Sequence, residues 1–211
     1  MHKHSLDFRC SETFLRNGLY SNNKFDFPII RKQSIDLTDC ILKPASEVKI
    51  NDTIPKDKNV GIHFFVDDYR FNSYYEHYER YVDRLKQYNF VLSPDFSLYS
   101  EMSLWRQVES IGKSRWCGAY WQSQNIKVIP TISWGLSETY DFCFCGIEKG
   151  TTVAVGTIGC LKSKYRFLCG YNKMLEVLNP SSILCIGKPF PEMKGKLIVV
   201  NYNGKGKLEV K

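Results

Sequence analysis

The sequence predicts an α/β protein with a mainly parallel sheet and helical crossovers, folded as a partial barrel or an open doubly wound sheet, behind an irregular N-terminal segment. Two observations carry that expectation. From residue 60 onward, short apolar runs alternate with helix-length amphipathic segments. Each run then ends in polar, mostly acidic or aromatic, residues: Asp67-Asp68-Tyr69-Arg70, Ser93-Pro94-Asp95, Ser133-Trp134 and Gly156-Thr157-Ile158-Gly159. Connections between the runs are long enough for helices, and parallel strands need such crossovers. In α/β proteins of this kind, sites lie at the carboxyl ends of the strands.

Residues 1–59 read as an irregular segment that packs on or leads into the core. Candidate strands at Phe27–Ile30 and Cys40–Leu42 are separated by Asn, Asp, Lys and Pro, and residues 51–59 read as a linker or extended wrap. Residues 60–211 read as a single α/β domain. Its first strand, Gly61–Val66, is almost continuously apolar, which suits burial on both faces. Ser73-Tyr74-Tyr75-Glu76 has the form of a capping box, and Tyr74, Tyr78, Tyr81, Leu85 and Tyr88 follow with helical spacing. Glu76 and Arg80 are four apart, a spacing that favours an ion pair. Phe90–Leu92 is the second strand. Ser100 is expected to cap a helix that Gly112 ends, with a shorter helix over Trp116–Gln122. Ile126–Ile132 is the third strand, although Pro130 lacks a ladder donor and fits only an end, a bulge or an edge. Thr152–Val155, Ser182–Ile186 and Leu197–Tyr202 complete the strands. A helix runs from Phe167 to Leu178, with Gly170 marking a close backbone approach and Asn179-Pro180 stopping it.

Bulk properties narrow the function classes. The chain has 211 residues, 43% of them hydrophobic, with 13 Tyr and 4 Trp. That supports a packed core, and the Tyr and Trp content suits clefts and binding surfaces. The net charge of +7 is dispersed, so it argues only weakly for polyanionic partners. The lysines of residues 188–211 read as a solvated tail. No stretch approaches the ~20 apolar residues of a membrane span, and residues 1–10 lack a signal-peptide core, so a cytoplasmic location and no membrane partner are expected. The eight cysteines are then reduced. Cys143, Cys145, Cys160 and Cys169 lack zinc-site spacing and read as buried thiols.

The strand ends supply the candidate chemistry. Asp67 and Asp68 are adjacent, so on extended backbone they point to opposite faces. One is a site carboxylate; the other caps the loop or pairs with Arg70. Asp95 is the partner for the first. Two carboxylates at neighbouring strand ends can act as general acid and base, flank a glycosidic bond or hold a divalent cation; beyond that cation the sequence leaves the cofactor open. Arg70, Tyr120, Trp121, Gln122 and Trp134 are candidate ligand contacts, offering flat surfaces, amides and a guanidinium to a base or sugar. Gly156-Thr157-Ile158-Gly159 can leave N–H groups free for an anion, although it is no P-loop. His63 reads as a satisfied core histidine.

Four ordered blocks, His63–Phe71, Leu92–Tyr99, Gly118–Gln122 and Val128–Trp134, resemble the blocks of an uncharacterised bacterial and phage family, domain of unknown function 4417. The resemblance spans roughly residues 60–190. It implies a phage, plasmid or conjugative-element context and brings no reaction with it. Cys145 departs from the family pattern, which tends to carry an acid there. Residues and resemblance together lead to a mobile-element protein whose strand-end site handles a nucleotide or nucleic acid, with hydrolysis by Asp67 or Asp68 together with Asp95. The alternative is a non-catalytic binding module for nucleic acid or a host protein, an accessory in replication, transfer or counter-defence.

Overall fold

The structure, a computed structural model, describes residues 5–55, 57–202 and 208–210. Its strands are β1 (Ile41–Pro44), β2 (Val60–His63), β3 (Phe90–Leu92), β4 (Val128–Ile129), β5 (Thr152–Gly156), β6 (Ser182–Ile186), β7 (Leu197–Tyr202) and β8 (Leu208–Val210). They form two parallel sheets, β4-β3-β2-β1 and β7-β6-β5, and β8 lies antiparallel between β1 and β7. The two outer edges also meet. Thr131 bridges Ala154 in parallel, with Ile132 N–H donating to Ala154 O at 2.8 Å and Ala154 N–H to Pro130 O at 2.9 Å. One bridge makes that seam, so the fold is a partial barrel and not a closed one.

Apolar strand residues sort onto two faces. Leu42, Phe90, Leu92, Ile129, Ala154, Leu184, Ile186 and Val200 form the inner cluster. Ile62, Phe64, Val91, Val128, Val153, Val155, Ile183 and Cys185 pack outward against helices. Burial on both sides is why the strands read as continuous apolar runs. At Gly61 an added Cβ would stand 2.4 Å from the Phe90 ring and 2.9 Å from Leu42, so the interior there is already full.

Several local expectations are corrected. Helix Leu104–Ser123 is continuous. Gly112 does not stop it; it admits the Phe27 ring, which would lie 3.1 Å from an added Cβ. The residue before the helix is Ser103, not Ser100, and it makes no side-chain cap. No capping box forms at Ser73, whose hydroxyl bonds Tyr81 Oη at 2.7 Å. Glu76 accepts from Asn72 instead of pairing with Arg80. The tyrosine segment breaks at His77 (φ −122°, ψ 43°) into the short turns Ser73–Glu76, Tyr78–Tyr81 and Val82–Leu85, yet Tyr74, Tyr78 and Tyr88 are core as their spacing implies. Pro130 sits where the chain leaves β3 for β5, a place that asks its carbonyl and not a donor. Part of the expected C-terminal tail is strand β8; Lys205, Lys207 and Lys211 lie outside the described residues.

Residues before 60 supply β1, between β2 and β8, and a wrap. Arg16 anchors the wrap, its guanidinium 4.4 Å from the Tyr78 ring and 4.1 Å from that of Trp116, a cation–π arrangement. Among the described residues no helix is long and apolar enough to cross a membrane.

Candidate functional site

Because β2 to β5 run parallel, their carboxyl ends open at one end of the barrel. The connections there surround a cleft of about 730 Å³. Phe65, Ile132 and Gly156 are among the residues that line it. Gly156 is needed because an added Cβ would come 2.9 Å from the Phe65 ring.

Asp95 stands in this cleft, and so does Asp67. The chain on both sides of Asp95 is fixed. Ser93 Oγ accepts from Thr131 N–H at 2.9 Å, and Ser93 O accepts from Thr131 Oγ1 at 2.6 Å. Ser97 donates its N–H and its hydroxyl to Asp68, the hydroxyl at 2.8 Å. The Asp95 carboxyl itself has no hydrogen-bond or ion-pair partner among the described residues. Burial, reinforced by the nearby Asp68 carboxylate, pushes it up to about 7, because both disfavour the charged form. Asp67 lines the cleft and Asp68 ties down the loop after β3; strand alternation is not what separates them, because β2 ends at His63 and Asp68 opens a 3-10 turn.

Arg70 lines the cleft, exposed, without an ion pair among the described residues. The expected pairing with an Asp is not made; the Asp68 carboxylate accepts from Ser97 instead. Trp134 also lines the cleft, half-buried. Its ring leans on Phe167 at 5.1 Å and lies over Gly170, where an added Cβ would be 2.2 Å from the indole. Gly170 is thus the close approach its place in a helix signalled.

Tyr120, Trp121 and Gln122 do not join this site. They occupy the last turn of helix Leu104–Ser123, which runs back from the carboxyl ends of the strands and delivers them to the opposite end of the sheet. Trp121 is fully buried and stacked on Phe64 at 5.4 Å. Tyr120 stacks on Trp116 at 5.1 Å. Gln122 exchanges hydrogen bonds with the Arg31 backbone at 2.7 and 2.8 Å.

Three contributors escaped the sequence reading. Arg166, in the first turn of helix Lys164–Leu178, reaches the cleft unpaired among the described residues; its place just after the Gly156–Gly159 loop was the available signal. Glu101 is on the rim. Arg115 is fully buried without a carboxylate partner. It donates to the carbonyls of Thr131 at 3.1 Å, Cys143 at 2.6 Å and Cys145 at 3.0 Å, fixing the segments that carry and back Trp134. Burial lowers it to about 10, so it stays charged at neutral pH. In the Gly156–Gly159 loop, Gly159 takes φ +79°, and the N–H groups of Ile158 and Gly159 have no acceptor among the described residues.

His63 is buried, as expected, but only half satisfied. Nδ1 accepts from Phe65 N–H at 3.2 Å, and Nε2 has no partner. Among the described residues no three His, Cys, Asp or Glu side chains are grouped to hold a metal ion. All eight cysteines are free thiols; of the four expected to be buried, Cys143 is, Cys145 and Cys160 are partly so, and Cys169 is exposed on its helix.

The family model described as "Domain of unknown function (DUF4417)" matches residues 22–203. The "Gene 1 protein" of Mycobacterium phage L5 is 44% identical over 135 residues, 62% of this chain and 59% of that protein. The "Gene 1 protein" of Mycobacterium phage D29 is 42% identical over 131 residues, 61% of this chain and 48% of that protein. The matched region thus spans about half the length of these curated relatives. No solved structure matches.

Proposed function

The chain belongs to the DUF4417 family, a phage-associated domain of unknown function, and from that premise we propose that its strand-end cleft binds a nucleotide or nucleic acid and hydrolyses a phosphoester in it. The observation that carries this reading is Asp95: an unpartnered carboxyl, raised to about 7, in a cleft that also holds Arg70, Arg166 and Trp134. A carboxyl poised near neutrality is suited to general-base work. Two free guanidiniums match a phosphate, and a half-exposed indole offers a face to a base.

In the proposed reaction, ionised Asp95 takes a proton from a water as its oxygen attacks phosphorus. The bond from phosphorus to the leaving oxygen breaks, and that oxygen takes its proton from solvent. Arg70 and Arg166 offset the charge on the remaining phosphoryl oxygens. The reading sets this activity in the cytoplasm, where such substrates are found.

A second reading rests on the same carboxyl. Below about pH 7 Asp95 is protonated and can donate a hydrogen bond to a ligand, which suits a non-catalytic binding module. Incubation of the purified protein with nucleotides and short oligonucleotides separates the two. Hydrolysis that disappears in Asp95→Asn, with binding kept, supports the enzyme. Binding without turnover at any pH supports the module. No binding by the wild type refutes both.

A further inference from the structure

Outside residues 6–20 and Ile50, every strongly exposed large apolar side chain among the described residues lies on a connection leaving β2, β3 or β5. Those connections surround the cleft. Tyr69 is 82% exposed, and Leu161 and Tyr165 are each 81% exposed. Tyr99 and Trp105 stand on the β3 side. Tyr99 and Ile158 line the cleft itself, and Leu161 and Tyr165 stand on the segment whose Cys160, Ser163 and Arg166 line it; exposed apolar groups set together beside a cleft mark an interaction surface.

The charge beside these groups says what kind of partner fits. Arg70 directly follows Tyr69, Lys162 follows Leu161, and Arg166 follows Tyr165. None of the three cations has a carboxylate within ion-pair distance among the described residues. Leu161 and Tyr165 are four apart, and so are Lys162 and Arg166, across the junction of the 3-10 segment Cys160–Ser163 with helix Lys164–Leu178. Two exposed apolar side chains and two unpaired cations thus alternate along one short segment at the cleft edge. Acidic groups lie inward, at Asp67, Asp95 and Glu101.

We infer that the rim is a track for single-stranded nucleic acid, which enters the cleft from the Leu161–Arg166 side; this deepens the reading of the cleft as a phosphoester site and rests on it. Flat exposed rings need unstacked base faces, which a duplex hides and a single strand offers. Lys162 and Arg166 follow the phosphates. A protein partner would use the apolar groups but has no need of the unpaired cations that follow Tyr69, Leu161 and Tyr165.

The test uses the full chain, fluorescein-labelled oligothymidylate, the matching duplex and thymidine monophosphate. The single strand is expected to bind at least about tenfold more tightly than either of the others. Tyr165→Ser, at an exposed position, should weaken single-strand binding about five- to a hundredfold, the range of one lost base stack, and leave monophosphate binding unchanged. Lys162→Gln should reduce the slope of log K against log salt by about 0.7, the loss of one single-strand phosphate contact. Equal affinity for single strand and duplex overturns the track. So does single-strand binding no tighter than that of the monophosphate, while the cleft reading stands. If neither ligand binds, both readings fail. Dimerisation abolished by Tyr165→Ser, without oligonucleotide binding, would make the rim an interface between copies and overturn the track.

Discussion

At the scale of single residues, Asp95 sets function against stability. Its carboxyl titrates near 3.8 in an unfolded chain and near 7 in the fold. Between those values the folded state binds the extra proton, so stability falls as pH rises from about 4 to about 7, and the loss is complete above 7. Asp95→Asn removes that cost. The variant should be more stable than wild type at pH 8, by about 1–3 kcal/mol after allowance for partial exposure, and nearly equal at pH 4. Urea titrations at the two pH values check this; equal gains at both would show that burial of the charge is not the cause. Gly170 acts through Trp134. Gly170→Ala gains about 1 kcal/mol of helix propensity but displaces the indole, since the new Cβ would lie 2.2 Å from it. Ligand affinity should fall by about tenfold with little change in melting temperature. An unchanged affinity would remove Trp134 from the binding surface.

At the scale of elements, the alternation of runs and helices was readable because strands buried on both faces are continuously apolar. Boundaries were less readable where tertiary contact overrides a local signal. Gly112 carries the signature of a helix stop, but the ring of Phe27 takes up the space it leaves. Tyr120-Trp121-Gln122 looked like a ligand surface because composition says nothing of which end of a helix meets the site. Helix direction decides that, and it follows from the crossover topology. Arg115 was silent in the sequence, since a buried cation that serves three carbonyls leaves no local pattern. Its replacement by Met should cost about 3–5 kcal/mol in urea denaturation, because three buried acceptors lose their donor. Arg115→Lys should not restore stability, as one ammonium cannot span the three carbonyls. Full rescue by Lys would mean that charge, and not the fork geometry, is what the site needs.

At the scale of the whole molecule, the partial barrel explains why Asp67, Arg70, Asp95, Trp134 and Arg166 meet although they are spread over a hundred positions. Parallel strands bring their carboxyl ends to one place, which is why the sequence could place Asp67, Arg70, Asp95 and Trp134 as neighbours around one cleft. The seam between β4 and β5 was not legible, because one bridge at a proline leaves no periodic trace. The barrel interior also carries an acid-sensitive group. Burial pushes His63 down to about 4 from an ordinary 6.5. Between these values only the unfolded chain binds the proton, so stability falls as pH drops from about 6.5 to about 4, by something on the order of 3 kcal/mol. Asp95 acts in the opposite sense over the same range, so the test is the difference between variants: relative to wild type, His63→Leu should gain about 3 kcal/mol on going from pH 6.5 to pH 4, and a difference that does not change with pH would assign the effect to other groups.

The cleft as a phosphoester site with Asp95 as its base is tested most directly by following the cleavage of a single-stranded oligonucleotide against pH, for the wild type and Asp95→Asn side by side. Wild-type cleavage should rise with pH and level off above about 7, as the carboxyl ionises. Asp95→Asn should still bind the strand and cleave it at least about a hundredfold more slowly at every pH. Cleavage by Asp95→Asn at the wild-type rate, with the same pH profile, would contradict the assignment outright.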